Sequence, residues 1–108
     1  MVVWVLRRVA RVELVPEALS EAEEAAAWYR REAGVEVAAR FVRALGDALE
    51  RIGSSPDRWP RLGPLAHRVR LARFPYLVVY VPSGDIVVVL AVAHAKRRPG
   101  YWKTRSRS

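Results

Sequence analysis

Apolar and polar residues alternate over residues 9–15, with Ala10, Val12 and Leu14 on one side and Arg11 and Glu13 between Val9 and Val15 on the other. A period of two predicts a strand with one apolar face. Pro16 breaks that strand and suits the first turn of a helix. The period then lengthens: Leu19, Ala22, Ala26 and Tyr29 share a stripe, with Ala25 and Trp28 beside it. Glu17, Glu21, Glu23 and Glu24 crowd the start, where carboxylates favour the positive end of the helix dipole. Ser20 and Glu23 form a capping box if the helix begins late. Gly34 is the natural left-handed stop. A second helix follows at once, with Val35, Ala38, Val42, Leu45, Leu49 and Ile52 spaced 3-4-3-4-3 and Phe41 and Ala48 widening the band. Two helices joined by one glycine predict an antiparallel hairpin packed on another layer.

Residues 53–56 end the second helix, and residues 57–64 read as a loop. From Ala66 the period returns to two: His67, Val69 and Leu71 alternate with Arg68, Arg70 and Ala72. Phe74-Pro75 interrupts, because proline cannot donate to a ladder. Residues 76–81 and 86–93 are apolar on both faces and are joined by a turn over 82–85. Two such strands in succession predict a hairpin at the centre of a sheet, covered on both sides. The expected fold is α+β, in the order β-α-α-β-β-β, with the helical hairpin on a mostly antiparallel four-stranded sheet.

A chain of 108 residues holds one domain. Residues 1–8 read as an N-terminal extension and 96–108 as a basic tail. The apolar run 2–6 is far too short to cross a bilayer. Its arginines follow it, whereas a secretory signal puts charge first. The absence of cysteine excludes a disulfide framework and thiolate zinc sites. These features predict a soluble cytoplasmic protein.

Charge changes the picture more than composition does. The net charge is +8, yet residues 1–54 carry nine acids and eight bases, whereas residues 55–108 carry two acids and eleven bases. A basic half of this kind suits nucleic acid or an acidic partner protein. The last fifteen residues concentrate it, with six Lys or Arg, no acid, His94 and the adjacent aromatics Tyr101 and Trp102.

Several local patterns then fall in one order. Residues 11–18, Arg-Val-Glu-Leu-Val-Pro-Glu-Ala, enter the first helix, and Trp28-Tyr29 lies near its end. Pro56 and Trp59-Pro60 follow the second helix, then come Arg70, Phe74-Pro75-Tyr76 and Tyr80, and finally His94, Arg97-Arg98-Pro99-Gly100-Tyr101-Trp102 and Arg105. This set resembles the RelE/ParE superfamily, the toxins of type II toxin–antitoxin systems. It is most similar to the ParE-like, plasmid-stabilisation branch. The resemblance implies a small growth-inhibiting toxin bound in a hetero-oligomer by a cognate antitoxin with an acidic or amphipathic segment. It also implies one of two targets: DNA gyrase for ParE-like members, or translated mRNA, cut on the ribosome, for RelE-like members.

The residues leave both targets open. Metal-free RNA cleavage needs a base for the 2′-hydroxyl, donors for the phosphate and an acid for the leaving oxygen. His94 titrates near neutrality and is the leading acid/base candidate. Arg70, Arg97 and Arg98 carry fork-shaped donors, and Tyr101 and Trp102 could stack a base. The RelE-like reading, a metal-independent endoribonuclease, therefore uses His94, Arg70 and Tyr101. Arg68, Arg73, Lys96, Arg97, Arg98, Trp102 and Arg105 are candidates for contact with RNA or another target. A strand-capping role for His94, a core or interface role for Tyr101 and Trp102, and a solvated or helix-paired role for Arg68 and Arg70 compete with these, and Trp28 and Tyr29 read as core or interface. A non-toxic nucleic-acid-binding module would fit the charge alone. Two histidines without cysteine are poor zinc ligands, no glycine-rich phosphate loop is present, and no metal or cofactor is expected.

Overall fold

A computed structural model describes residues 10–105. The expected strand start at Val9, the extension 1–8 and the last three tail residues lie outside that range. The chain runs β1 (Arg11–Leu14), α1 (Pro16–Ala33), α2 (Val35–Ser54), β2 (Arg61–Leu62), β3 (Ala66–Arg70), β4 (Tyr76–Ser83) and β5 (Ile86–His94). The strands form one sheet in the order β1-β5-β4-β3-β2. β1 runs parallel to β5, and the other three pairings are antiparallel.

The α+β class and the helical hairpin match expectation, but the sheet has five strands rather than four. The extra one, Arg61–Leu62, lies in the segment read as loop and pairs with Ala66 and His67. Gly63, at φ 87°, makes the tight return. A two-residue strand is too short to show a period.

α1 begins at Pro16, directly after the strand, so Ser20 and Glu23 lie inside the helix and form no capping box. Gly34 ends α1 at φ 96°, as expected, and also starts α2. The buried stripes overlap the expected ones, with three expected members exposed. In α1 the core side is Ala18, Ala22 and Ala25, while Leu19 is half exposed. In α2 it is Ala38, Phe41, Leu45, Ala48 and Ile52, while Val35 is 71% and Val42 55% exposed. Counting large residues pulled the predicted bands toward Leu19, Val35 and Val42. Alanine faces instead let the hairpin approach the sheet closely, and one residue along a helix turns the band by about 100°.

Register fixes the two faces of the sheet. Tyr76 meets Phe41 of α2 at 5.2 Å between ring centroids, so Tyr76, Val78 and Tyr80 look toward the helices. Leu77, Val79 and Val81 look away. His67 pairs with Tyr80 and stacks on it at 5.3 Å, and its Nδ1 lies 2.7 Å from the Trp59 carbonyl. The Tyr80 hydroxyl donates to the Pro56 carbonyl. These bonds tie the loop after α2 to the centre of the sheet. Between Val79 and Tyr80 the β4–β5 register slips by one, leaving Leu90 as a bulge in β5. Trp102 is buried in the same core cluster, and beside it a cleft of about 570 Å³ opens along Val81, Val88 and Leu90.

Phe41→Ala should destabilise the protein by about 3–5 kcal/mol, the usual cost of emptying a fully buried aromatic site. Val42→Ala should stay within about 0.5 kcal/mol, as exposed substitutions do. Urea unfolding of the two variants checks the placement of the α2 core face, and equal losses would refute it.

Candidate functional site

β1 is too short to cover β5. It pairs with Ile86 to Val89 and then gives way to Pro16 and α1. The next groups on that edge of β5 are satisfied by side chains. Glu21 of α1 accepts from the Val92 N–H at 3.0 Å, and the Arg105 guanidinium donates to the Leu90 carbonyl at 3.0 Å. The same Arg105 nitrogen reaches Glu21 Oε1 at 2.8 Å, and the Tyr101 hydroxyl donates to Glu21 Oε2 at 2.5 Å. One carboxylate thus binds a sheet edge and the C-terminal segment together. Both Glu21 and Arg105 side chains are only 14% exposed, where charge-assisted bonds are strong.

The aromatic ring of Tyr101 is held as firmly as its hydroxyl. Arg97 lies 4.0 Å and Arg105 4.8 Å from its centroid. Burial, together with the bond to the Glu21 carboxylate, pushes the Tyr101 pKa up to about 12. The phenol is therefore protonated near neutrality and cannot serve as a base there, and its proton is held by the Glu21 carboxylate. Arg105 keeps its charge because the Glu21 bond outweighs the burial that opposes it.

Of the residues expected to share a nuclease site, Arg70 is set apart, whereas His94 shares a hollow with Arg97 and with Glu21, which binds Tyr101. Arg70 pairs with Leu77, which pairs with Ala93, so its side chain lies on the face away from the helices. His94 pairs with Tyr76 and lies on the helix side, in a hollow of about 230 Å³ with Glu24, Trp28 and Arg97. His94 Nδ1 accepts from the Lys96 N–H at 3.1 Å, and its carbonyl accepts from the Arg97 N–H at 2.9 Å. It therefore caps the turn that leaves β5, and its neutral form carries the proton on Nε2. Arg68 and Arg70 are exposed on β3, and Arg73 is exposed in the turn after it. Lys96 and Arg98 are exposed, and Trp102 is 7% exposed in the core. Among the described residues no group of His, Asp and Glu could hold a metal ion.

Glu21 was read from sequence only as a charge near a helix start. It also sits at the spacing of the Ala18, Ala22 and Ala25 stripe, and an acid on an apolar stripe was the available signal. Its partners lie 71 to 84 residues away, beyond any local pattern.

The family model described as the ParE toxin of type II toxin–antitoxin system, parDE, matches residues 12–99. The chain belongs to this ParE toxin family. None of the curated proteins matches it. Among solved structures, a chain titled "Chromosomal ParDE TA system from P. aeruginosa" superposes with a TM-score of 0.71 over 81% of this chain and 97% of that one, at 14% identity. At that identity the likeness is one of fold. Membership in a type II system brings an antitoxin as partner. The matched range spans the sheet and both helices and stops at Pro99, ahead of Tyr101 and Arg105.

Glu21→Ala in this ParE-family chain should cost about 3 kcal/mol, at the low end for breaking a buried ion pair, since the pair retains some solvent contact. Urea unfolding measures the cost, and protease cleavage confined to the C-terminal segment should rise with it. Stability should also depend on high pH. Tyr80 and Tyr101 both have pKa values raised from 10.0 to about 12. Their contribution is therefore complete below about pH 10 and lost as pH climbs through about 12. Tyr101→Phe should flatten that loss in a pH series of unfolding curves, and an unchanged series would contradict the bond to Glu21.

Proposed function

We propose that this chain is a growth-inhibiting toxin that acts in the cytoplasm on DNA gyrase, without nuclease chemistry, and is neutralised by its antitoxin. The observation that carries the choice of target is the separation of Arg70 from His94, on opposite faces of the sheet, combined with the commitment of the Tyr101 hydroxyl to Glu21. Metal-free RNA cleavage needs convergent acid, base and phosphate donors, and Arg70 lies across the sheet from His94. Family membership supports the same branch. No described helix is long and apolar enough to cross a membrane.

The antitoxin's place is the cleft on the sheet face away from the helices. Its floor is Leu62, Val81, Val88, Leu90 and Trp102, and Leu65 stands at its rim, 71% exposed. Lys103 and Arg105 lie at the same rim. An apolar floor with cations at its edge suits an amphipathic acidic segment, with apolar anchors inside and carboxylates outside.

Expression of the chain without its antitoxin should arrest growth and accumulate DNA breaks while leaving mRNA intact. Ribosome-dependent cleavage ends in mRNA would overturn the gyrase reading. Leu65→Glu should weaken antitoxin binding by at least tenfold in a titration while the fold is kept, because the residue is exposed.

A further inference from the structure

A row of arginines shares no residue with the Glu21 bond network or with the cleft beneath Trp102. Three adjoining clefts of about 560, 500 and 410 Å³ run along the flank between α2 and β3, and Arg51 lines all three. α2 supplies Arg40, Arg43 and Arg51 to them, and the loop after α2 supplies Arg58. β3 and the turn after it supply Arg68, Arg70 and Arg73. All seven are exposed. Asp47 and Glu50 are the acids lining these clefts. Among the described residues, none of the seven arginines is within ion-pair distance of a carboxylate. Uncompensated like charges at this density repel one another and favour an anionic partner.

The arginines are also oriented. Arg51 and Arg58 stack on Trp59, at 5.8 and 5.2 Å from its ring, which limits the freedom their guanidinium groups would lose on binding. Arg73 has φ 67°, the left-handed region that side chains other than glycine rarely adopt. The turn holds that conformation beside Arg40 and Arg43.

We propose that this flank binds the phosphodiester backbone of duplex nucleic acid. Two observations favour a backbone over an acidic protein. The cationic groups are all arginine, whose fork matches phosphate oxygens. The exposed large hydrophobics, Leu19, Trp28, Val35, Val42 and Leu65, also line none of the three clefts, and the apolar residues that do, among them Val37, Trp59, Phe74 and Leu77, are partly buried. Protein interfaces centre on exposed apolar anchors, whereas nucleic-acid interfaces are more polar and more positive. Trp59 lies under its two arginines and Phe74 packs against Tyr29 and Phe41, so no free aromatic remains to stack a base. That favours a duplex over a single strand, and sequence-independent contact. The span from Arg40 to Arg51 along the helix is about 16 Å, roughly five phosphates of one strand at about 3.4 Å each.

The test is independent of the gyrase reading, because it measures binding by the purified chain and not growth arrest. Fluorescence anisotropy with a labelled duplex, across a sodium chloride series, should give a log–log salt slope between about −4 and −6, at about −0.9 per phosphate contacted. The triple variant Arg40→Gln, Arg43→Gln, Arg73→Gly removes three charges at exposed positions, and glycine suits the backbone at 73. Its slope should be shallower by about 2 to 3 and its affinity at least tenfold lower, with an unchanged urea midpoint confirming the fold. Equal binding by wild type and variant would overturn the proposal. So would an equal or greater loss from Lys96→Gln, Arg98→Gln, which would place the contact on the tail. Tighter binding of a poly-glutamate peptide than of the duplex would assign the flank to an acidic protein and overturn it as well.

Discussion

A single carboxylate decides where the end of this chain goes. β1 stops early because Pro16 begins a helix, and β5 is left with backbone groups that no strand reaches. Glu21 takes the Val92 N–H, and through Arg105 the neighbouring Leu90 carbonyl is satisfied too. In a buried setting an unpaired backbone group costs about 1–3 kcal/mol. The network removes that cost at the sheet edge and neutralises a cation that would otherwise be buried alone. Trp102 reaches the core because the residues on either side of it are held here.

That arrangement has a chemical consequence. From sequence, Tyr101 and Arg105 are candidates for contact with RNA or another target. In the fold they are structural, and the tyrosine is kept neutral far above physiological pH. The alternation of β4 and β5 does the rest, since a strand sends neighbouring positions to opposite faces. Arg70 and His94, attractive as a pair in sequence, are divided by the sheet. Our preference for a toxin without nuclease chemistry rests on this division.

The remaining surface separates by physical character. Beneath Trp102 the sheet offers an apolar cleft, which suits an amphipathic segment. Along α2 and β3 it offers a row of exposed arginines, which suits phosphates. The two share no lining residue.

Much of the architecture was legible from local pattern. Alternation at Ala66 to Leu71 located β3, the glycine at 34 separated the helices, and two doubly apolar runs located the central hairpin. Each rests on interactions within a few residues, which the sequence displays directly. The errors were of one kind. In α2 the expected band holds Ala38, Phe41, Leu45, Ala48 and Ile52 but also Val35 and Val42, which face solvent, and in α1 Ala18 rather than Leu19 meets the core, because the facing layer sets which side packs. The two-residue β2 escaped because its pairing with β3 defines it. The basic half was plain in the sequence, but its arginines were sought on β3 and the tail. Arg40, Arg43 and Arg51 of α2 join that surface only because the hairpin lays the helix beside β3. The sequence by itself determined the elements other than β2, their order and the sign of the surface, since these follow from local periodicity and charge. Only the tertiary structure decided which charges are spent inside and which face solvent, because Glu21 meets Tyr101 and Arg105 across 80 and 84 residues through folding alone.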